Sequence, residues 1–462
     1  SNEHPKKQKS IAVLPFTNMS TNAENQFFAD GIVEDVLNRL STVEDFKVIS
    51  RTSSEVYRNR KDLHVPEIGK ELGVQYLVEG SVQFVEGISK VTIQFIDAEQ
   101  DDHIWIKTFE REMHDIFSIQ SEIALEVAAS IDSLLTEQET AFIEKDPTVN
   151  LKAYEWYQLG KYHWSTRTVE GLDLAISYFQ KSIDEDPQYA LPYAYMADAY
   201  FLKFLMSPKQ VAFTEQAKRM AIKALELDYR LAEAYNVMGG IESFIHMNWE
   251  EAEKMFQIGL KYNPNHSNLM HRYSEHLNRT GRKEMARTYL QKALEINPLS
   301  FIIRLVSSNL YASLGDYDNA LIDLNLCHEL VKVESHPRTS DHAFEVYFNL
   351  GMNEELLQNS KAWAKEQFDG AIPENTWDSI YNNEGLQGLV RFRAENVTVA
   401  PMKANLYALI GEEEKAIDIL ENLELYRRHD LRFLLKFYSY RKLYKNERFQ
   451  QLLADTNLPW KP

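Results

Sequence analysis

The spacing of apolar residues changes once along this chain, near residue 140. Before that point, short apolar runs alternate with stretches of helical period. Residues 11–16 predict a buried strand, and residues 25–40 predict an amphipathic helix with Phe28, Ile32 and Val36 on one stripe. The other predicted elements are strands over 46–49, 76–85, 89–97 and 103–110, the last three as an antiparallel meander, and helices over 66–72 and 116–135. This part is expected to be an α/β domain.

The remainder of the chain repeats with a period of 34 residues, seen at Ala252, Ala286 and Ala320. A small residue at a helix crossing lets two helices approach closely, and a large apolar residue one turn later fills the space between hairpins. A recurring proline marks a helix boundary, since proline inside a helix costs about 3 kcal/mol. The accompanying positions are Phe256, Leu290 and Leu324, then Gly259, Ala293 and Cys327, and finally Pro264 and Pro298.

This frame resembles the tetratricopeptide repeat and predicts an all-α superhelix of helical hairpins. The hairpins are expected over 154–187, 191–229, 232–264, 267–298 and 301–333. The frame weakens over 342–371, returns over 402–425 and ends with a helix pair and cap over 430–453. Terminal repeats are expected to be atypical because they face water.

Several strings in the first part resemble the TolB-amino-terminal-like domain: residues 10–20, 28–32, 50–54 and 77–82. Residues 103–105, 109–111, 115–120 and the tail 446–453 extend the resemblance over nearly the whole chain. It implies an accessory or sensory module, since such domains precede tetratricopeptide arrays in bacterial class III adenylate cyclases and membrane-anchored AraC or CadC-type regulators. The expected organisation is a tag remnant and linker over 1–9, a TolB-like domain over 10–140 and the repeats over 150–462.

The composition and charge of the chain restrict the kinds of partner that it can bind. A net charge of −19 argues against a nucleic-acid surface, which needs clustered Lys and Arg. The single cysteine, Cys327, excludes an internal disulfide and is expected to be a buried, inert thiol.

No apolar run is long enough to span a membrane, and Ser1-Asn2 is typical of a cleaved tag. We therefore expect a fragment whose membrane anchor was removed, with the periplasmic side favoured. Lys6, Lys7 and Lys9 suit either a juxtamembrane tether or a solvated linker.

No motif predicts catalysis, and neither a catalytic residue, a cofactor site nor a metal site is assigned. His271 and His276 are five residues apart and fall on different helical faces, which argues against a metal pair. The Asp101–Asp102–His103 string suits a solvated turn or a ligand cluster. The segment 50–54, which contains Arg51, suits an anion site or a turn that caps a strand.

The predicted binding surface is the concave face of the array, lined by the first helix of each hairpin. An extended peptide, a protein partner or a small molecule such as a sugar would suit its aromatic and amide side chains. Packing between hairpins is the alternative for Tyr157 and Trp164, and a scaffold or homodimer without a ligand is the alternative function. The candidate residues are Tyr154, Tyr157, Lys161, Trp164, Asp198, Phe201, Glu233, Asn236, Asn268, His271, Glu275 and Asn278.

Overall fold

A computed structural model describes residues 9–20, 26–58, 60, 62–112, 115–131, 135–206, 212–331, 337–368, 371–423 and 438–454. It contains a small sheet domain followed by an array of helical hairpins, which confirms the predicted fold class. The predicted strands and helices of the first part are present, with their ends moved by a few residues.

One sheet organises the first part. Its strands are β1 (Lys9–Val13), β2 (Thr17–Asn18), β3 (Phe46–Val48), β4 (Tyr76–Val85), β5 (Ile88–Asp97) and β6 (Asp102–Glu112). The order is β3-β1-β4-β5-β6, with β2 paired to β4. β1 runs parallel to both β3 and β4, whereas β4, β5 and β6 form the predicted antiparallel meander.

Five helices accompany the sheet: α1 (Gln26–Ser41), α2 (Arg51–Glu55), α3 (Val65–Leu72), α4 (Ile116–Ser130) and α5 (Glu137–Glu144). On the predicted stripe of α1, Ile32 and Val36 are inaccessible to solvent, as is Leu40 one turn further, whereas Phe28 is half-buried. The short helix α2 occupies the segment for which a turn or an anion site was expected.

The array consists of successive helix pairs whose first members are α6, α8, α10, α12 and α14. The pairs are α6 (Leu151–Ser165) with α7 (Val169–Glu185), α8 (Ala190–Met206) with α9 (Ala212–Leu227), α10 (Ala232–Ile241) with α11 (Trp249–Tyr262), α12 (Ser267–Arg279) with α13 (Lys283–Ile296), and α14 (Phe301–Leu314) with α15 (Tyr317–Val331). A π-helical turn, Glu242–His246, extends α10.

The later pairs are less regular. They comprise α16 (Pro337–Leu350), α17 (Asn353–Phe368), α18 (Glu374–Asn396), α19 (Ala400–Leu409), α20 (Glu413–Glu421), a 3-10 segment (Tyr438–Lys445) and α21 (Glu447–Ala454). The sequence frame did not predict α18, which is interrupted at Gly385, where φ is 63°. The predicted ends at 332–333 and 430–437 lie outside the described residues.

The small and large positions of the repeat frame are buried as predicted. Ala252, Ala286 and Ala320 are inaccessible to solvent. Gly239 shows why the frame needs a small residue, because a Cβ there would lie 2.7 Å from the ring of Phe256. Cys327 is also fully buried, and burial raises the pKa of its thiol to about 12, which keeps it protonated and unreactive.

The chain forms two compact units. The first takes the residues up to Ile241 together with Glu250–Arg272 and Lys292–Pro298, so it joins the sheet domain to the first repeats. The second takes Glu242–Trp249, Tyr273–Gln291 and the residues from Leu299 onward. Within the second unit, the buried guanidinium of Arg393 lies 4.4 Å from the ring centroid of Phe344 and 4.6 Å from that of Trp363.

Candidate functional site

The first compact unit contains a contact between helix α1 of the sheet domain and helix α6 of the first repeat. Gly31, Asp35 and Arg39 follow one another at intervals of four along α1, so they form a second stripe beside the apolar one. All three are buried. Helix α1 is therefore covered on two faces, by the sheet on one and by repeat residues on the other.

Asp35 is held at the centre of this contact. The Tyr154 hydroxyl donates a hydrogen bond to Asp35 Oδ2 at 2.5 Å, and Gln120 Nε2 donates to the Tyr154 hydroxyl at 3.2 Å. Burial raises the pKa of Asp35 to about 6, although the Tyr154 hydrogen bond and the charge of Arg39 act in the opposite direction. Asp35 therefore titrates close to neutral pH.

The neighbouring carboxylate, Glu34, forms an ion pair with Lys161 of α6. Burial acts to raise the pKa of Glu34, but Lys161 and Arg51 outweigh burial and lower it. Arg51 also lies 3.1 Å from Asp30 and 3.6 Å from Glu34, so this cation of the segment 50–54 is engaged with protein carboxylates. Helix α1 thus carries two adjacent carboxyl groups: Glu34, whose pKa is lowered and which stays ionised, and Asp35, which titrates.

The turns between repeats form a second part of the contact. Asn265 accepts a hydrogen bond from Val48 N at 3.2 Å and donates to the carbonyl oxygens of Ser41 and Val43. Because β3 is the edge strand of the sheet, Asn265 satisfies a backbone group that would otherwise lack a ladder partner. The sequence frame identified this turn only as a proline boundary, although Asn265 directly follows Pro264.

The next turn repeats the arrangement. Ser53 of α2 donates to Asn297 Oδ1 at 2.7 Å, and Ser50 N donates to the Ile296 carbonyl at 2.8 Å. Asn297 directly precedes Pro298, so consecutive repeat boundaries both contribute an asparagine to the sheet domain. Within the segment 50–54, the Ser53 hydroxyl and the Ser50 backbone N–H therefore serve this contact.

The first groove candidates lie within this contact or in the core beside it. Tyr157 is inaccessible to solvent, and its ring lies 5.2 Å from Tyr189 and 5.7 Å from Tyr195. Tyr154 and Lys161 are buried because they contact α1. None of the three forms a free surface, because α1 covers Tyr154 and Lys161 and the repeat core encloses Tyr157.

Asp198 organises the next group of candidates. It accepts a hydrogen bond from Trp164 Nε1 at 3.0 Å and pairs with Arg272 at 2.8 Å and Arg167 at 3.6 Å. Burial acts to raise the pKa of Asp198, but these arginines outweigh burial and lower it. Asp198 is thus an ionised, buried carboxylate that joins α6, α8 and α12.

Phe201 packs against the same arginine. The guanidinium of Arg272 lies 4.9 Å from the Phe201 ring centroid, within the range of a cation–π contact. Gly240 of α10 makes room for this ring, since a Cβ at that position would lie 2.8 Å from it. The side chains of Asp198, Phe201 and Arg272 therefore act as one packed cluster.

Two further candidates carry buried polar atoms that no described residue satisfies. These atoms are His271 Nδ1 and Asn236 Oδ1; Arg272 Nη1 is a third of the same kind. Burial lowers the pKa of His271 to about 3, and Arg272 adds to that effect, so the ring is neutral at pH 7. A buried polar atom without a partner costs about 1–3 kcal/mol, which favours any group that pairs with it.

The remaining candidates are half-buried: Glu233 and Asn268 in the first unit, and Glu275 and Asn278 in the second. Within the second unit, Asn278 Nδ2 donates to Ser313 Oγ at 3.3 Å. The twelve candidates therefore divide between a domain contact, a buried cluster and half-buried helix positions.

A cavity of about 290 Å³ lies in the first unit between α1, the segment after α5 and the starts of α8 and α10. Asp35 and Glu233 line it together with the rings of Phe142, Tyr189 and Tyr262. The cations in its wall are already paired: Lys145 lies 2.7 Å from Asp228, and Arg39 lies 3.2 Å from Asp146. Sequence reasoning did not find this cavity, because its walls come from distant segments.

Neither a metal-ligand cluster nor a membrane-spanning helix occurs among the described residues. No group of three or more His, Cys, Asp or Glu side chains in these ranges is placed to hold a metal ion. In the same ranges, every helix is too short or too polar to cross a membrane.

Comparisons with known proteins assign different relatives to the two parts. A family model of the second domain of HilA/YgeH-like transcriptional regulators matches residues 7–126. A model of ChAPs, the Chs5p-Arf1p-binding proteins, matches residues 160–340. Putative adenylate cyclase 3 of Rhizobium meliloti (strain 1021) is 38% identical over 146 residues, which are 32% of this chain and 25% of that protein.

Several solved structures align with part of the chain. PilW, a type IV pilus biogenesis factor, aligns at 15% identity over 48% of this chain and 96% of its own, with a TM-score of 0.37. A thermophilic tetratricopeptide protein from Thermus thermophilus aligns at 18% identity over 43% and 98%, with a TM-score of 0.34. The first part of the chain thus resembles one domain of a transcription regulator, and it precedes the helical hairpins described above.

Proposed function

We propose that this chain is a non-catalytic sensory and interaction module of a membrane-anchored bacterial signalling or transcription regulator. Its repeat array binds a peptide, a protein partner or a small ligand, and its TolB-like α/β domain relays that binding to an output domain. The periplasm is the proposed location. The partial matches to a regulator domain and to an adenylate cyclase support an output by transcription control or by nucleotide cyclisation.

The observation that carries this proposal is the contact between α1 and α6. Lys161 and Tyr154 of the first repeat are bound to Glu34 and Asp35 of the α/β domain by buried polar contacts. A movement of α6 relative to its neighbours must therefore strain or move α1, because breaking a buried charge pair is costly. The α/β domain can in this way respond to what the repeats bind.

The cluster around Asp198 supports a ligand in the array. Asn236, His271 and Arg272 carry buried polar atoms that lack partners among the described residues, so a ligand that opens this cluster can pair with them; all three belong to the first helices of neighbouring repeats. An extended peptide offers a backbone donor and acceptor at every residue, which matches amide, imidazole and guanidinium groups. Phe201 and Trp164 beside them add aromatic contact area.

A peptide-library screen on the full chain tests the proposal. We expect selective peptides whose affinity falls about tenfold or more in the Asn236→Ala/His271→Ala double variant. The control is Asn319→Ala, which alters an exposed asparagine elsewhere in the array. Circular dichroism confirms that each variant is folded. The absence of any selective peptide, or affinity equal in both variants, would contradict peptide binding by this cluster.

A homodimerising scaffold is the second candidate, and strand β6 favours it. β6 is an edge strand among the described strands, and Ile104 and Ile106 on it are 42% and 58% exposed. An edge with exposed apolar residues can pair with a second copy. Sedimentation of wild type and Ile106→Lys distinguishes the candidates, since the scaffold requires a dimer that the lysine weakens. A monomeric wild type at micromolar concentration would remove this candidate.

A further inference from the structure

The cavity between α1 and the starts of α8 and α10 has two carboxylates that lack a direct ion pair with Lys or Arg among the described residues. Asp35 and Glu233 line it, and no Lys or Arg nitrogen of the described residues lies within 4.0 Å of either carboxylate. The nearest basic group to Glu233 is His266 Nε2 at 4.0 Å. Burial lowers the pKa of His266, so this imidazole is neutral at pH 7 and leaves Glu233 uncompensated.

The cations of the cavity wall are directed to other groups. Arg39 donates to the carbonyls of Ile143 and Lys145 and pairs with Asp146. Lys145 pairs with Asp228 at 2.7 Å, and Arg230 lies 3.4 Å from the same carboxylate. The lining has three carboxylates (Asp35, Asp228 and Glu233) and three cations (Arg39, Lys145 and Arg230), and the cations pair directly with Asp146 and Asp228, so Asp35 and Glu233 are left without a direct ion pair.

The rest of the lining suits an organic cation. The rings of Phe142, Tyr189 and Tyr262 contribute to the wall, and aromatic faces attract ammonium groups. Tyr189 is fully buried, and its hydroxyl has no hydrogen-bond partner among the described residues. A ligand N–H can satisfy that hydroxyl oxygen, whereas the carboxylates provide the countercharge.

We propose that this cavity is a binding site for a small organic amine whose ammonium group lies between Asp35, Glu233 and the aromatic rings. The volume of about 290 Å³ admits a short alkyl amine. The site also places the ligand beside the contact between α1 and α6, since Asp35 belongs to both. Amine binding stabilises ionised Asp35 and thereby changes the charge at that contact. This inference does not depend on peptide binding by the array.

Isothermal titration calorimetry of the full chain with 1,5-diaminopentane at pH 7.5 tests the site. We expect binding to one site, weakening as salt is added, and no binding of the neutral analogue 1,5-pentanediol. Glu233→Gln should reduce the affinity about tenfold or more, and Asp35→Asn should do the same. The matched control, Glu226→Gln, changes an exposed carboxylate of α9 that lies outside the cavity. It should leave the affinity unchanged.

If Asp35→Asn fails to fold, Glu233→Gln still tests the site. This variant is expected to fold, because Glu233 is half-buried and takes no part in the Tyr154–Asp35 hydrogen bond. A capped Gly-Lys-Gly tripeptide distinguishes the source of the ammonium group. Binding of the free diamine alone assigns a metabolite-sized ligand, and tighter binding of the tripeptide assigns a lysine side chain of a peptide. Both results support ammonium recognition. The proposal is overturned if neither probe binds at millimolar concentration, or if Glu233→Gln and Glu226→Gln bind equally well.

Discussion

Tyr154 of the first repeat donates a 2.5 Å hydrogen bond to Asp35 of the sheet domain, and both side chains are buried. The folded-state pKa of Asp35 is about 6, above the value of 3.8 for an unperturbed aspartate. The folded protein therefore binds the Asp35 proton more tightly than the unfolded chain does. This contribution to stability is fully present below the unperturbed pKa and is lost as pH rises through the folded one.

The free energy of unfolding is accordingly expected to carry an Asp35 contribution that falls by about 1–2 kcal/mol between pH 5 and pH 7.5. Urea denaturation of wild type and Asp35→Asn across this range measures the contribution as a difference. Asparagine cannot titrate, so wild type should gain stability relative to Asp35→Asn as pH falls through the folded-state pKa. Parallel pH profiles for the two proteins would show that Asp35 has an ordinary pKa.

Gly31 permits the approach of α6, since a Cβ at Gly31 would lie 2.5 Å from the Tyr154 hydroxyl oxygen. We expect Gly31→Ala to lower the free energy of unfolding by about 1–3 kcal/mol through overpacking, despite the better helix propensity of alanine. Thermal or urea denaturation measures the effect. Tyr154→Phe removes the crowded oxygen, so Gly31→Ala should cost less in that background. An equal cost in both backgrounds would place the clash elsewhere.

The pair between Glu34 and Lys161 lends itself to a double-mutant cycle. Lys161→Met alone removes the nearer of the two cations beside half-buried Glu34 and leaves Arg51 at 3.6 Å, so we expect a loss of about 1–3 kcal/mol. Glu34→Gln in the same chain should recover part of that loss, because no buried charge then lacks its partner. Additive effects of the two substitutions would mean that the ion pair contributes no coupling.

Asn265 is predicted to stabilise the edge of the sheet. Asn265→Ala removes the acceptor of Val48 N and the donor to two carbonyls, so we expect a loss of about 2 kcal/mol. The control is Asn422→Ala, since Asn422 is exposed and bonds within its own helix. Urea denaturation compares them, and equal stability of the two variants would contradict the role assigned to Asn265.

Much of the fold could be predicted because it follows from periodicity. The 34-residue spacing of Ala252, Ala286 and Ala320 reflects a packing requirement that each hairpin repeats, and all three are buried. Helix α18 was not predicted, because its sequence lacks this frame and contains Gly385, which has a positive φ. Periodicity describes how a repeat packs on its neighbour, so it fails where the chain departs from the repeat.

The candidate site was predicted less completely for a related reason. Tyr154 and Lys161 occupy first-helix positions of the repeat, but their partners Asp35 and Glu34 lie more than 100 residues earlier in the sequence. A local sequence pattern does not indicate which residues of a separate domain a repeat contacts. The strings that marked α1 as part of a known domain type included Gly31, whose role became clear only beside Tyr154.

Amide hydrogen exchange on the full chain tests most directly whether the sheet domain and the first repeat behave as one unit. Wild type and Lys161→Met would be compared under native conditions, with exchange measured separately over α1 and α6. We expect faster exchange in both helices of the variant, because loss of the Lys161–Glu34 pair loosens the contact from each side. Faster exchange confined to α6, with α1 unchanged, would contradict coupling between the repeat array and the sheet domain.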